Sequence, residues 1–228
     1  MTSAPRRFET DILTTSGGKL AITSFGHGSV GFTYNNQVIY VDPYGRVADY
    51  AALPKADLIL VTHEHQDHLD PKAIAAARMK DTAIVISASC APQLAGGIVM
   101  RNGDARTVQG IPIEAVPAYN ILHQRDNGLP FHPKGVGNGY VLTFGDARVY
   151  LAGDTENVPE MKNLRDITCA FLPMNLPYTM TPEMAAAAAK TIRPALLYPY
   201  HYGDTDPARL TALLADQPEI EVRIRQLR

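Results

Sequence analysis

Hydrophobic and polar residues alternate through residues 8–15, 20–25, 31–34 and 38–41, with Ser16-Gly17-Gly18 and Asn35-Asn36 at breaks between them. A period of two interrupted by turn residues predicts half-buried strands joined as hairpins. After Asp42-Pro43 the pattern changes. Residues 57–62, D-L-I-L-V-T, form a short apolar run of the kind covered on both faces of a sheet, and the Ala-rich stretch 71–80 predicts a helix. Residues 83–87 predict the next strand, 91–95 a short helix, and 105–118 further strand broken by Gly110 and Pro112.

Neither period holds from 119 to 139, where the chain reads Y-N-I-L-H-Q-R-D-N-G-L-P-F-H-P-K-G-V-G-N-G. A loop this long and this rich in Gly, Pro and Asn is expected to border a functional site. The second half then repeats the order of the first. A hairpin at 140–143 and 148–152 turns at Gly145-Asp146, and a helix-like stretch and an apolar strand at 167–172 follow. Thr181-Pro182-Glu183 opens an Ala-rich helix over 181–191, a strand at 196–200 ends before His201, a terminal helix covers 207–214, and an edge strand lies at 222–224. Hairpins followed by strand-helix units, twice over, predict an α/β fold: two mixed sheets packed face to face with helices outside, a four-layer αββα sandwich. No linker, low-complexity stretch or charge run divides the chain, so residues 1–228 are expected to form a single domain.

The bulk composition narrows the function without naming it. With 228 residues, 46% of them hydrophobic, and 21 Lys+Arg against 23 Asp+Glu, the chain has the balance of a soluble globular protein. A formal net charge of -2 supplies no footprint for nucleic acid or an anionic membrane, so the expected partner is a small-molecule substrate, with a homo-oligomer left open. Cys90 and Cys169 form no C-x-x-C pair and read as small buried residues. Arg6 and Arg7 are followed by F-E-T-D rather than an apolar run, which argues against a secretory signal, and no segment reaches the roughly 20 apolar residues of a membrane span. The expected compartment is the cytoplasm, where unpaired thiols persist.

The chemistry concentrates in T-H-E-H-Q-D-H at 62–68, three imidazoles and a carboxylate directly after a buried strand. Imidazole nitrogen and carboxylate oxygen are preferred ligands of zinc and related divalent ions, and a strand end fixes their directions. His63 and His65 can reach one ion while Asp67 and His68 turn toward a second.

That motif resembles the H-x-H-x-D-H signature of the metallo-β-lactamase superfamily, and the resemblance extends over nearly the whole chain. It is nearest to the branch of L-ascorbate-6-phosphate lactonase-like hydrolases, through F-G-H-G-S at 25–29, V-D-P at 41–43, A-G-D-T at 152–155, T-M-T-P-E at 179–183 and P-Y-H-Y-G at 199–203. The resemblance implies that Asp154 bridges two ions and that His201 joins Asp67 and His68 at the second. A third histidine for the first ion is expected just after P-A-x, where this chain has Asn120. Because A-Y-N and F-H-P-K-G occur together in a sub-branch that this chain resembles, His132 is the preferred substitute, with His123 the alternative; Asn120 then counts among the substrate-binding candidates.

Further candidates surround that set. His27 in G-H-G-S is a catalytic candidate near the metals, and Asp42 is placed to orient a metal-bound imidazole from behind. Lys134 is the candidate to meet an anionic substrate group, and Tyr178 and Tyr202 are candidate donors to a developing oxyanion. Together these imply a hydrolase with two divalent ions, Zn2+ first and Mn2+ or Fe2+ as alternatives. It would cleave a small ester, lactone or phosphoester, with Asp67 as a proton acceptor. Three alternatives stay open: a phosphodiesterase or small nuclease on the same centre, a di-iron oxidoreductase, and a metal-binding sensor without turnover.

Overall fold

The computed structural model describes residues 8–228; the reading of the N-terminus as lacking a secretory signal rests in part on residues 1–7, outside that range. Four strands open the chain, β1 (Glu9–Thr15), β2 (Gly18–Gly26), β3 (Ser29–Tyr34) and β4 (Gln37–Val41), paired antiparallel in sequence order. Three parallel strands extend the sheet, β5 (Ala56–Val61), β6 (Arg78–Ser87) and β7 (Ile98–Met100), with helix α1 (Pro71–Ala77) between the first two. The second sheet repeats the plan. Strands β8 (Ala105–Val108), β9 (Ile111–Ala118), β10 (Gly137–Phe144) and β11 (Ala147–Leu151) are antiparallel, and β12 (Ile167–Pro173), β13 (Leu196–Tyr200) and β14 (Glu221–Val222) add in parallel. Helix α2 (Pro182–Ile192) connects β12 to β13, and α3 (Ala208–Leu213) precedes β14. Two seven-stranded mixed sheets with helices outside make the αββα sandwich.

The strand pattern explains the layers. In β5, Leu58 and Leu60 face a core shared by both sheets, while Ile59 and Val61 face a second core that includes Ala73, Ile74 and Ala77 of α1. Both faces are covered, which is why this strand is apolar throughout. Each such side chain contributes about 1.5–3 kcal/mol on burial. The inner core is closed by aromatic pairs between sheets, Phe32 with Phe144 at 5.5 Å and Phe32 with Phe171 at 6.4 Å. Five buried residues, Ala185, Ala186, Ala188, Ala189 and Ile192, form the inner stripe of α2, and Thr181 caps its first turn by accepting from Met184 N at 3.1 Å. Both cysteines are buried free thiols, and burial pushes Cys90 up to about 11. No helix among the described residues is long and apolar enough to cross a membrane.

Several local expectations are corrected. The helix predicted over 71–80 ends at Ala77, because Arg78 is extended and pairs with Ala56; Thr82 Oγ1 ties Met79 N to Ala56 O, so strand pairing overrides the helix propensity of Arg78, Met79 and Lys80. The helix expected at 91–95 is absent: a 3-10 turn at Ala88–Cys90 runs into further turns, with Pro92 and the Gly96-Gly97 pair leaving too few residues to propagate a helix. Pro112 lies inside β9 rather than breaking it, before the register shared with β10 begins. The three-residue edge strand β7 carried too short an apolar run to be anticipated.

Candidate metal centre

Five strand ends converge on one rim. His27 follows β2, Asp42 follows β4, His63 begins just after β5, Asp154 lies just past β11 and His201 follows β13. Sheet pairing therefore sets where each side chain starts. His27, Asp42 and His201 all have positive φ, 53°, 46° and 46°. Non-glycine residues held in that region store about 1–3 kcal/mol each, and surrounding structure must hold them there.

The side chains form two tetrads in which the potential ligand atoms all lie within 4.8 Å of one another: His63, His65, His132 and Asp154, and His27, Asp67, His68 and His201. Asp154 reaches toward both. Its Oδ2 lies 3.2 Å from His132 Nε2 and 3.7 Å from His201 Nε2, and its Oδ1 lies 3.5 Å from His68 Nε2. Among the described residues, the Nε2 atoms of His63, His68 and His132, and Asp154 Oδ1, are buried without a hydrogen-bond partner. Leaving several buried polar atoms unpaired in one place is costly, and a divalent cation bound between them would satisfy the set. The donors, imidazole nitrogen and carboxylate oxygen, suit that fit.

The opposite nitrogens are held. Asp42 Oδ2 lies 2.7 Å from His68 Nδ1 and also accepts from Thr62 Oγ1 at 2.7 Å, while its Oδ1 accepts from Thr62 N. Thr62 Oγ1 lies 3.0 Å from His63 Nδ1. Asn120 Oδ1 accepts from His132 N at 2.8 Å and lies 2.7 Å from His132 Nδ1, a contact in which Nδ1–H is the donor. Each contact leaves Nε2 to face the cluster, the arrangement that fixes tautomer and ring direction in metal sites. Behind Asn120 sits Glu156, fully buried, whose carboxylate accepts from Asn120 Nδ2 and from the backbone N–H groups of Ile121, Leu122 and His123. Glu156 thus pins the start of the irregular loop.

Burial pushes the imidazoles of His63, His65 and His27 below their ordinary range, with neighbouring imidazoles adding to the effect at each. Neutral imidazole is the form that binds a cation. Burial also opposes charge on Asp67 and Asp154, but the imidazoles around them dominate and hold both well below the usual carboxylate range. For His68, burial opposes protonation but the Asp154 and Asp42 carboxylates outweigh it and raise its pKa.

A cleft of about 460 Å³ opens over both tetrads, lined by His65, Gln66, Asp67, Arg125, Phe131, His132, Asp154, Asn175, Tyr178 and His201. Tyr178 borders it, packed edge-on against Phe131 at 5.0 Å. Other candidates point elsewhere. Lys134 lies over the Tyr119 ring and pairs with Glu160 at 2.7 Å, and the Tyr202 hydroxyl donates to Arg225 O. His123 pairs with Glu156 at 2.8 Å instead of facing the cluster. Asn120 is buried, and its amide is spent on His132, Glu156 and the Tyr178 carbonyl, which corrects its placement among substrate-binding residues. His27, read as a catalytic candidate, lies 2.9 Å from Asp67 Oδ2 and within the second tetrad. The contributions of Thr62, Glu156 and Arg125 had no signal in the residue pattern. Gly28 sat inside a recognised motif, but its role was hidden: a Cβ there would come within 2.9 Å of His68 Cε1.

Comparison with known proteins agrees with this architecture. A family model for the beta-lactamase superfamily domain matches residues 21–201. A UPF0173 metal-dependent hydrolase of Methanoculleus marisnigri is 34% identical over 194 residues, covering 83% of each chain. A crystal structure from Parabacteroides distasonis, named as a metal-dependent hydrolase, superposes with a TM-score of 0.93 at 51% identity, covering 97% of this chain and 100% of that one. Igni18, a metallo hydrolase of Ignicoccus hospitalis, shares the fold with a TM-score of 0.74 at 24% identity, covering 91% and 95%.

Proposed function

Because the chain belongs to the metallo-β-lactamase superfamily and is a metal-dependent hydrolase, we propose that its two tetrads hold two divalent ions and that it cleaves a small ester, lactone or phosphoester. The observation that carries the reading is the pair of ligand clusters meeting at Asp154, with buried Nε2 atoms left unpartnered on both sides. His63, His65 and His132 would hold one ion and Asp67, His68 and His201 the other, with Asp154 between the two sets and His27 beside Asp67. When bound, such ions lower the pKa of a coordinated water toward neutrality and polarise the scissile oxygen. Zinc suits this donor set, with manganese and iron as alternatives.

The protein's own residues supply orientation and proton handling. Asp42 and Asn120 keep the His68 and His132 rings in one tautomer. Asp67 Oδ2 lies 2.9 Å from His27 Nε2 and 3.4 Å from His201 Nε2 on the cleft wall, which places an ionised carboxylate where a proton released in the reaction would be received. Phe131 and Tyr178, packed edge-on, form an aromatic side of the cleft.

The test is metal content together with a screen of lactones, carboxylic esters and phosphodiesters on protein reconstituted with zinc, manganese or iron. About two ions per chain are expected, falling in His63→Ala together with turnover. Fewer than one ion per chain, unchanged by that substitution, would overturn the dinuclear reading.

A further inference from the structure

Among the described residues, the lining of the cleft has one cationic side chain, Arg125. Its position is set by a tight turn: Gln124 bridges Pro130, Arg125 N donates to Leu129 O at 2.8 Å, and Gly128 N donates back to Arg125 O at 2.8 Å. The guanidinium lies over the Phe131 ring, 5.1 Å from its centroid, and Nη2 donates to Phe131 O at 3.2 Å. Stacking and one hydrogen bond orient the fork while leaving most of its five donors unspent. Among the described residues no carboxylate lies within 4.0 Å of it, whereas Arg148, Arg209, Arg223 and Lys134 all have such a partner. Asn175 lines the same cleft, and among the described residues its carboxamide has no hydrogen-bond partner.

We infer that the substrate carries an oxyanion, a carboxylate or a phosphate, apart from the bond that is cleaved, and that Arg125 receives it with Asn175 as a second donor. This rests on the hydrolase reading above and adds the substrate's charge to it. A planar fork matches two oxygens of such a group bidentately, and Phe131 and Tyr178 offer an apolar wall for the portion joining it to the scissile bond. Among the described residues Arg125 makes no hydrogen bond or ion pair with either tetrad; its one side-chain hydrogen bond goes to the Phe131 carbonyl, next to His132, so metal content is the control that separates a role in specificity from one in holding the loop.

The experiment uses the zinc-loaded full chain and the variants Arg125→Ala, Arg125→Gln and Arg125→Lys, with zinc content measured in each. Two matched esters, 4-nitrophenyl butyrate and 4-nitrophenyl hemisuccinate, differ in one terminal carboxylate. Arg125→Ala is expected to lower kcat/KM for the hemisuccinate by about 10- to 100-fold, the scale of charge-assisted hydrogen bonds, chiefly through KM, and to leave the butyrate within about twofold. Arg125→Lys restores part of the loss, and zinc content stays constant. Calorimetric binding of phenylacetate and of phenylphosphonate distinguishes carboxylate from phosphate, since the preferred group loses more affinity in Arg125→Ala. If neither ester is cleaved but phenylacetate or phenylphosphonate binds more weakly to Arg125→Ala, the ester reading fails and the anion site stands. If the esters are cleaved with an unchanged ratio and neither ligand weakens, the anion site is wrong.

Discussion

Asn120→Ala tests how the first tetrad is built. The wild-type side chain is buried and makes four contacts: Oδ1 accepts from His132 N and Nδ1, and Nδ2 donates to Glu156 and to Tyr178 O. Truncation leaves two donors on His132 and the Tyr178 carbonyl without these partners, while Glu156 keeps its backbone donors. Each unpaired buried group costs about 1–3 kcal/mol, and partial rescue by water puts the total near 2–4 kcal/mol. The backbone bond from Asn120 N to His132 O at 2.9 Å remains, so the loop should stay in place while the imidazole loses its fixed tautomer. Loss of an orienting contact of this kind typically weakens metal affinity about 10- to 100-fold. Zinc affinity by chelator competition would show one of two binding steps weakened, and urea denaturation of the metal-free protein would show the stability loss. In a His132→Ala background the effect on affinity should vanish, since both substitutions act through the same ring. Both binding steps at wild-type affinity in Asn120→Ala, or a full additional loss in the double variant, would refute the reasoning.

Other outcomes follow from the same contacts. Glu156 has its folded pKa depressed below 4.5: burial opposes its charge, but hydrogen bonds from the backbone of His123 and Leu122 and from Asn120 win. Its stabilisation is therefore complete above the unfolded pKa and is lost as pH falls through the lower folded value, so metal-free wild type should lose more stability than Glu156→Gln between pH 5 and pH 3; parallel urea-midpoint curves would contradict this. Gly28→Ala should lower zinc affinity with little change in fold, because its Cβ would crowd His68, whose Nδ1 is already fixed by Asp42; undiminished zinc titration would show that the ring can shift freely. Phe171→Ala, which removes a ring stacked on Tyr198 at 4.8 Å in the shared core, should cost about 3–5 kcal/mol in denaturant titrations, and a loss under 1 kcal/mol would mean that the core collapses around the gap. Chelation should lower the melting temperature in proportion to metal occupancy, and a melting point indifferent to zinc would argue against binding at the buried tetrads.

The residue pattern made some of this visible and hid the rest for identifiable reasons. The motif at 62–68 is legible because its side chains are neighbours in sequence as well as in space. Asp154 and His201 are legible only as members of an order, each just past an apolar strand, since a lone Asp in G-D-T is more often a turn residue. Most strand positions and the helix at 182–192 followed from period and composition, whereas the helix expected at 91–95 is a series of turns, and Arg78 went the other way because pairing with Ala56 is a contact across 22 positions that no local propensity reports. Lys134 and Arg125 are both loop cations in sequence; what separates them is Glu160, far along the chain, which pairs one and leaves the other facing the cleft. Glu156 carried no signal at all, because its partners come from a different segment.

That last case explains why the loop can supply part of a precise site. The other members of the two tetrads come from strand ends or from the short motif after β5, and sheet hydrogen bonds fix their starting points. His132 comes from an irregular stretch, where each residue ordered costs about 1–2 kcal/mol of backbone entropy and no ladder offsets it. A buried carboxylate that gathers three consecutive backbone donors, and an amide that passes the constraint from Glu156 to the His132 ring, do locally what a strand does elsewhere. Asn120, where a ligand was expected, and the histidine twelve residues later form one structural unit: the amide at position 120 is the acceptor that orients the imidazole at position 132. The two should therefore fail together, and restoring a ring at position 120 alone should not restore the site, because the acceptor that His132 needs would be gone.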